Sequence, residues 1–392
     1  MLSPNKIFPK RFRMKRKIVI AMDSFKGSAK SKELGDWVKE GISRVVSSEQ
    51  VSVYPIADGG EGTLDAIIAG CGGTIFTKEV AGPLDEIVAA RYGMIDDQTA
   101  VIEVAEACGL HLTEQTEEDV LSATSFGVGE LILAAIEKGA KTIYLGLGGS
   151  GTNDGGAGLL QALGVQLLNK EKESIQSGAI GLKDVTHISV DTIHPSLQGV
   201  KLIALSDVES PLIGQKGATA VFGPQKGARS EIAGQIDQWM DNYSQLVEKN
   251  LSLNTRNVPG AGAAGEIGFA LLSFLDTKIV SGITEILKLI DFEKEVHSAS
   301  LVITGEGRLD EQTLNGKAPT GIIKLAKKYD IPVIALVGAR PVDLSDFYIR
   351  GIDAVFSIVS GPVSLEESIR QVKQNTVTAS ESMMRAVMLA IE

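Results

Sequence analysis

Short apolar runs alternate with helix-like stretches from one end of the chain to the other. The runs fall at residues 18–21, 51–56, 99–104, 142–145, 201–205, 301–304 and 332–337. That alternation predicts repeated β-α-β units, and hence an α/β fold with mostly parallel sheets. Most of the runs end in polar or glycine-rich loops, at 23–27, 57–63, 146–158, 206–207, 305–310 and 338–339. In open α/β sheets the ligand lies beyond the carboxyl ends of the strands, so these loops are expected to form the walls of a site. The first run and those in the last hundred residues are similar in character. We therefore expect one discontinuous domain, 17–70 with 290–392, and an inserted domain, 71–289. The polar stretch Asn254-Thr-Arg-Asn-Val-Pro259 is expected to be a loop near the return.

The chain has 392 residues, enough for two or three domains with a large core. Its 44% hydrophobic and 22% charged residues, with 43 glycines, fit a loop-rich globular enzyme. A net charge of −11 argues against nucleic acid or an anionic membrane as the main partner. No run reaches the ~18 uninterrupted apolar residues of a membrane span. Cys71 and Cys108 lack ligand spacing and read as reduced thiols of a cytoplasmic protein. His111, His187, His194 and His297 are scattered, so a zinc site is not expected. Residues 1–16 are basic and lack an apolar core segment; they read as a disordered extension, with Met14 marking where a shorter chain would start.

The loop Gly146-Leu-Gly-Gly-Ser-Gly-Thr-Asn-Asp-Gly-Gly-Ala-Gly158 stands between a strand-like and a helix-like run. Glycine lets the backbone turn and approach a ligand closely, while Ser150, Thr152, Asn153 and Asp154 supply donors and acceptors. A second loop of the same kind, Ala57-Asp-Gly-Gly-Glu-Gly-Thr63, also carries Asp-Gly-Gly-x-Gly. A tight turn needs glycine but has no use for a carboxylate in both places. Asp58, Glu61 and Asp154 among backbone N–H donors suit Mg²⁺-phosphate chemistry.

Other motif readings fail. Gly146-x-Gly148-x-x-Gly151 and Gly260-x-Gly262-x-x-Gly265 match the dinucleotide spacing, but the second does not directly follow a strand and the first lacks a clear acidic residue at a strand end about 20 positions on. Walker-type, protein-kinase and serine-hydrolase signatures are absent.

Six segments occur together in order: Ile18-Val-Ile-Ala-Met-Asp-Ser-Phe-Lys-Gly-Ser28, Ala57–Thr63, Gly148–Gly158, Val221-Phe-Gly-Pro-Gln-Lys-Gly-Ala228, Gly260-Ala-Gly-Ala-Ala-Gly265, and Ile303-Thr-Gly-Glu-Gly-Arg-Leu-Asp310 with Gly316-Lys-Ala-Pro319. Together they resemble the glycerate kinase family, of the class I type that includes glycerate 2-kinases. The resemblance implies ATP-dependent, Mg²⁺-assisted phosphorylation of D-glycerate to 2-phospho-D-glycerate. It also implies two α/β domains, one discontinuous, with the active site in the cleft between them. The chain departs from the family pattern at Met22, Gly151, Ser206 and Glu266, the last standing where another glycine is usual.

Phosphoryl transfer asks for positioning, neutralisation of charge and a base near the attacking hydroxyl. The candidate cations are Lys26, Lys226, Arg308 and Lys317, with Arg308 suited to a carboxylate by its planar fork. The candidate carboxylates are Asp23, Asp58, Glu61, Asp154, Asp207, Glu306 and Asp310. Asp207 or Asp310 is favoured as base, and Asp58 with Asp154 as metal ligands, while Ser24, Ser150, Thr152 and Asn153 are expected to bind substrate or phosphate oxygens. Expected partners are small molecules, with no nucleic acid or membrane and a homo-oligomer left open. The alternatives are a kinase of another short hydroxy acid and a non-catalytic two-lobed carboxylate sensor.

Overall fold

A computed structural model describes residues 17–310, 313 and 318–389. The expected extension at 1–16 and the candidate Lys317 lie outside them. The strands are β1 (Lys17–Met22), β2 (Val51–Val53), β3 (Thr74–Ala81), β4 (Ile87–Met94), β5 (Thr99–Glu103), β6 (Thr142–Gly146), β7 (Gln166–Leu168), β8 (His187–Ser189), β9 (Lys201–Leu205), β10 (Lys278–Val280), β11 (Ala299–Gly305), β12 (Val333–Val337) and β13 (Ala354–Ser357). Between them run helices, giving an α/β protein with mostly parallel sheets. No helix of the described residues is long and apolar enough to cross a membrane.

The chain divides into two compact units, residues 1–57 with 287–392 and residues 58–286. The first unit is built on a five-stranded parallel sheet in the order β13-β12-β11-β1-β2. Its strands are almost wholly apolar because both faces are covered. Ile18, Ile20, Met22, Leu301, Ile303, Ile334 and Leu336 are buried with Leu34 and Val38 of the helix Ser31–Ile42 and Met383 and Met384 of the helix Val372–Leu389. The expected run at 51–56 is a strand only to Val53: Tyr54 N still donates to Ile20 O at 2.8 Å, and Pro55 then has no N–H to offer.

The second unit contains a six-stranded sheet, β10-β9-β6-β5-β4-β3. β5, β6, β9 and β10 run parallel, while β3 and β4 are antiparallel additions at one edge. That edge hairpin escapes the apolar-run pattern because β3, Thr-Ile-Phe-Thr-Lys-Glu-Val-Ala, is largely solvent-exposed. A small antiparallel pair, β7 and β8, is separate from the main sheet.

The division falls at 57 and 286, where 70 and 290 were expected. The helix Thr63–Cys71 belongs with 58–286, because Leu64 and Ile68 pack on Gly93 of β4; a Cβ on Gly93 would come within 2.7 Å of Leu64 Cδ1. The return falls between Ile286 and Leu287.

In the first unit the helices Ser31–Ile42 and Val372–Leu389 lie in close contact. Gly41 permits this, since a Cβ there would sit 2.3 Å from Val377 O and 2.8 Å from Ser380 Cβ. An exposed helical Gly→Ala change stabilises by about 1 kcal/mol, but forced overpacking costs about 1–3 kcal/mol. Gly41→Ala is therefore expected to destabilise the first unit, and Gly41→Val to do so more. Urea unfolding read from Trp37, in a Trp239→Phe background, checks this; an unchanged or raised midpoint would contradict the packing argument.

Candidate active site

Two glycine loops of the second unit are packed backbone on backbone. Gly148 N donates to Gly59 O at 2.9 Å and Leu147 N to Leu205 O at 3.1 Å. A Cβ on Gly148 would come within 2.3 Å of Gly60 Cα, and one on Gly59 within 2.5 Å of Leu205 O. No side chain fits at either position, so the turns after β6 and β9 are locked onto the 57–63 loop. Asp58 Oδ1 accepts from Gly60 N at 3.2 Å. The Asp58 carbonyl lies against Gly282, where a Cβ would be 2.0 Å away.

This packing sets Asp58 near Asp207, which follows β9. The Asp207 carboxylate accepts from the Ser281 hydroxyl and from Gly282 and Ile283 N–H, at the start of the helix Gly282–Leu289. Its Oδ2 is buried without a hydrogen-bond partner. Burial pushes the group up to about 6; the three donors oppose this, and the charge of Asp58 adds to the rise. Glu61, in the same loop, is exposed. Among the described residues no cluster of three or more His, Cys, Asp or Glu could cage a metal by itself. Two facing carboxylates, one with a free buried oxygen, are the donor set from which Mg²⁺ is usually held together with nucleotide phosphates.

Deeper in the unit, Ser150, Thr152 and Asn153 are buried around Lys226, itself only 3% exposed. Lys226 Nζ donates to Thr152 O at 2.6 Å and to Ser150 Oγ at 3.2 Å. Burial lowers its proton affinity, against the charges of Glu266 and Asp154. Asn153 Nδ2 donates to Glu266 Oε1 at 3.2 Å and to Thr219 Oγ1 at 2.9 Å, and Thr219 Oγ1 donates to Glu266 Oε1 at 3.1 Å.

Asp154 has a different task from the expected metal ligand. Its Oδ2 accepts from Ser125 N and Oγ at 2.8 Å and from Gly158 N at 3.1 Å, and its Oδ1 from Gly156 N at 3.1 Å. With four donors and no exposure, the carboxylate is filled by the protein and pins the start of the helix Ala157–Ala162 to the 124–126 turn.

In the first unit the loops after β1, β11 and β12 gather. Asp23 N donates to Gly305 O at 2.8 Å, and Ser24 N to Asp23 Oδ1 at 2.7 Å. Leu309 N donates to Ala339 O at 2.9 Å, and a Cβ on Gly307 would lie 3.4 Å from Phe25 Cα. Asp23 and Glu306 are buried, while Lys26 and Arg308 are exposed. Asp310 Oδ1 accepts from Thr313 N at 3.3 Å and its own N–H donates to Thr313 Oγ1 at 3.0 Å, a capping exchange of the turn that follows. The chain thus brings Asp58 and Asp207 together, Ser150, Thr152, Asn153 and Lys226 together, and Asp23, Ser24 and the 305–310 loop together.

A model of the glycerate kinase family matches residues 18–388. The chain belongs to that family. It is 43% identical over 375 residues to a glycerate kinase of Bacillus subtilis strain 168, covering 95% of this chain and 98% of the relative. It is 41% identical to the glycerate 2-kinase of Escherichia coli K12, covering 96% and 98%. A crystal structure provisionally assigned as glycerate kinase 2 of Salmonella typhimurium LT2 superposes with a TM-score of 0.82 at 37% identity, covering 96% of this chain and 99% of that one. The family membership makes the chain an enzyme, a kinase.

Three supporting residues escape the motif reading. Glu103, 3% exposed at the end of β5, accepts from Leu64 N at 2.6 Å and Gly62 N at 3.3 Å, capping the helix that follows the Asp58 loop. Ser125 holds Asp154, and Glu266 holds Asn153 and Thr219. A polar residue ending a strand run was the available signal for Glu103, and a charge where the family pattern has glycine the signal for Glu266; Ser125 carries none, because its partner lies far away in sequence.

Burial pushes Glu103 up from 4.5 to about 7 against the pull of its two N–H donors. A folded-state pKa above the unfolded one means that folding retains a proton between those values. Its contribution is fully present below pH 4.5 and is lost as pH rises through about 7, up to about 3 kcal/mol. Glu103→Gln is expected to flatten this fall in urea-derived stability between pH 4.5 and 7; an unchanged slope would contradict it. Asp154→Asn places an amide among N–H donors and is expected to cost about 1–3 kcal/mol. Full stability of that variant would return Asp154 to the list of candidate metal ligands.

Proposed function

We propose that the chain transfers the γ-phosphoryl group of ATP to D-glycerate, with Mg²⁺, giving 2-phospho-D-glycerate in the cytoplasm. The observation that carries this reading is the Asp207 carboxylate: raised in proton affinity, one buried oxygen without a partner, and Asp58 close beside it. The names of the relatives support the substrate.

Asp207 accepts the proton of the attacking hydroxyl at its free Oδ2, while Ser281 and two backbone N–H groups keep the carboxylate oriented. Asp58 would hold Mg²⁺, which neutralises phosphate charge and orients the transferred group when bound. With a cation held by Asp58, Asp207 would stay ionised as the base at neutral pH. Lys226, desolvated and anchored by Thr152 O, is the anion-binding cation of the second unit. Lys26, Arg308 and Lys317 remain candidate cations of the first unit, with Arg308 suited to a carboxylate. Glycine loops around these groups offer backbone N–H donors that need no reorganisation as charge develops.

The direct test is ADP formation in a coupled assay. Release should depend on both D-glycerate and Mg²⁺; turnover undiminished by omitting glycerate or by excess EDTA would overturn the reading. Phosphorus NMR of the product should show an ester at the secondary carbon, and a primary ester would refute the 2-position. Asp207→Asn should lower kcat by about 10²–10⁴-fold with the fold intact, as loss of a general base requires. Near-normal turnover in that variant would move the base to another carboxylate.

A further inference from the structure

Glu266 sits where its backbone is least at ease. Its φ is +66°, in the left-handed region that a residue with a side chain enters at a cost of about 1–2 kcal/mol. The side chain is fully buried, and no solvent offsets that cost. What it finds is a polar interior: Oε1 receives hydrogen bonds from Asn153 and Thr219, and Oε2 has no partner. The neighbouring Gly265 lies under Lys226, where a Cβ would come within 3.1 Å of Nζ. The Lys226 ammonium is tied to Thr152 O and Ser150 Oγ, so Glu266 acts on it through space.

The charged neighbours decide what happens when this pocket takes an anion. Lys226 faces Glu266, Asp154 and the thiol of Cys108, which burial keeps neutral, and Glu266 faces Lys226, Asp154 and Asp237. Burial raises the proton affinity of Asp154 as well, but four hydrogen-bond donors on its two oxygens oppose that rise. Glu266 has only two donors on one oxygen, and burial raises its affinity for a proton. An anion arriving on Lys226 would leave two buried carboxylates and itself against one ammonium. Of these groups, Glu266 has the open oxygen and the weaker hold on its charge.

We infer that Glu266 is a proton-linked counter-ion of Lys226, so that an anionic substrate group binding at Lys226 drives a proton from solvent onto Glu266 Oε2. The new O–H bond balances the incoming negative charge, and the buffer supplies the proton. Affinity for that ligand accordingly weakens as pH rises. The inference rests on Lys226 being the anion-binding cation proposed above.

Calorimetry separates the two claims. D-Glycerate and a non-hydrolysable ATP analogue with Mg²⁺ are titrated separately in buffers of different ionisation enthalpy, over roughly pH 6–9, where a raised carboxylate titrates. Lys226→Met should weaken at least one of these ligands by at least about tenfold, the loss expected for a charge-assisted contact. If neither weakens, the anion-site reading fails. For the ligand that does weaken, the wild-type protein should take up a fraction of a proton on binding, and Glu266→Gln should take up none. Glu266→Gly, at ease at this backbone angle, gives a second variant should glutamine fold poorly, and the same loss of uptake is expected. Wild-type binding without proton uptake, or unchanged uptake in both variants, overturns the inference while leaving the Lys226 reading standing.

Discussion

The absence of a side chain at Gly148 is the constraint on which the second unit's polar loops depend. With Gly60 Cα only 2.3 Å from where a Cβ would be, even alanine would pry the two loops apart. Their contact fixes the Asp58 turn against the ends of β6 and β9, and through it the spacing of Asp58 and Asp207. Helix and strand packing below those loops supplies the stiffness, but the close approach itself is made by glycine. Sheet interiors built from Ile, Val and Leu would tolerate many exchanges of similar volume; the loop contact tolerates none.

Burial then assigns different work to chemically identical groups. Asp154, Asp207, Glu103 and Glu266 are all carboxylates shifted toward the protonated form by desolvation. Asp154 is surrounded by donors and serves as a bracket. Glu103 caps a helix whose loop carries Asp58. Asp207 combines partial exposure with a buried oxygen that has no hydrogen-bond partner. The distinction between scaffold and chemistry is thus one of hydrogen-bond saturation, not of residue type.

Much of this was legible in the chain. Each of the seven apolar runs contains a strand, though 51–56 only as far as Val53, because parallel strands covered on both faces must be apolar throughout. The edge strands β3 and β13 and the short β7, β8 and β10 lacked that mark, since exposed or three-residue strands leave no apolar run. The glycine loops announced the site region, yet the sequence treated Asp58 and Asp154 alike, each being an Asp before two glycines. What separates them is Ser125, 29 residues away from Asp154, and Ser281 and Gly282, which reach Asp207 from beyond the 260–266 loop. Local pattern records which loops are built for close approach; saturation is decided by residues that only folding brings near. The division at 57, where 70 was expected, has the same origin, since the helix at 63–71 could be joined to either sheet until Gly93 was seen beneath it.

The sheet of the first unit also orders events in time. Lys17 of β1 is paired with Ala299 of β11, and β2 is paired only with β1. On a ribosome the two earliest strands therefore emerge with no third strand to join, while the whole of 58–286, with its own sheet and core, is made before β11 appears. A pair of such short parallel strands cannot persist alone, since loop closure must be offset by contacts that do not yet exist. β1 and β2 must wait unpaired with β11 while residues 58–286 are made, which exposes them to chaperones and to misassembly.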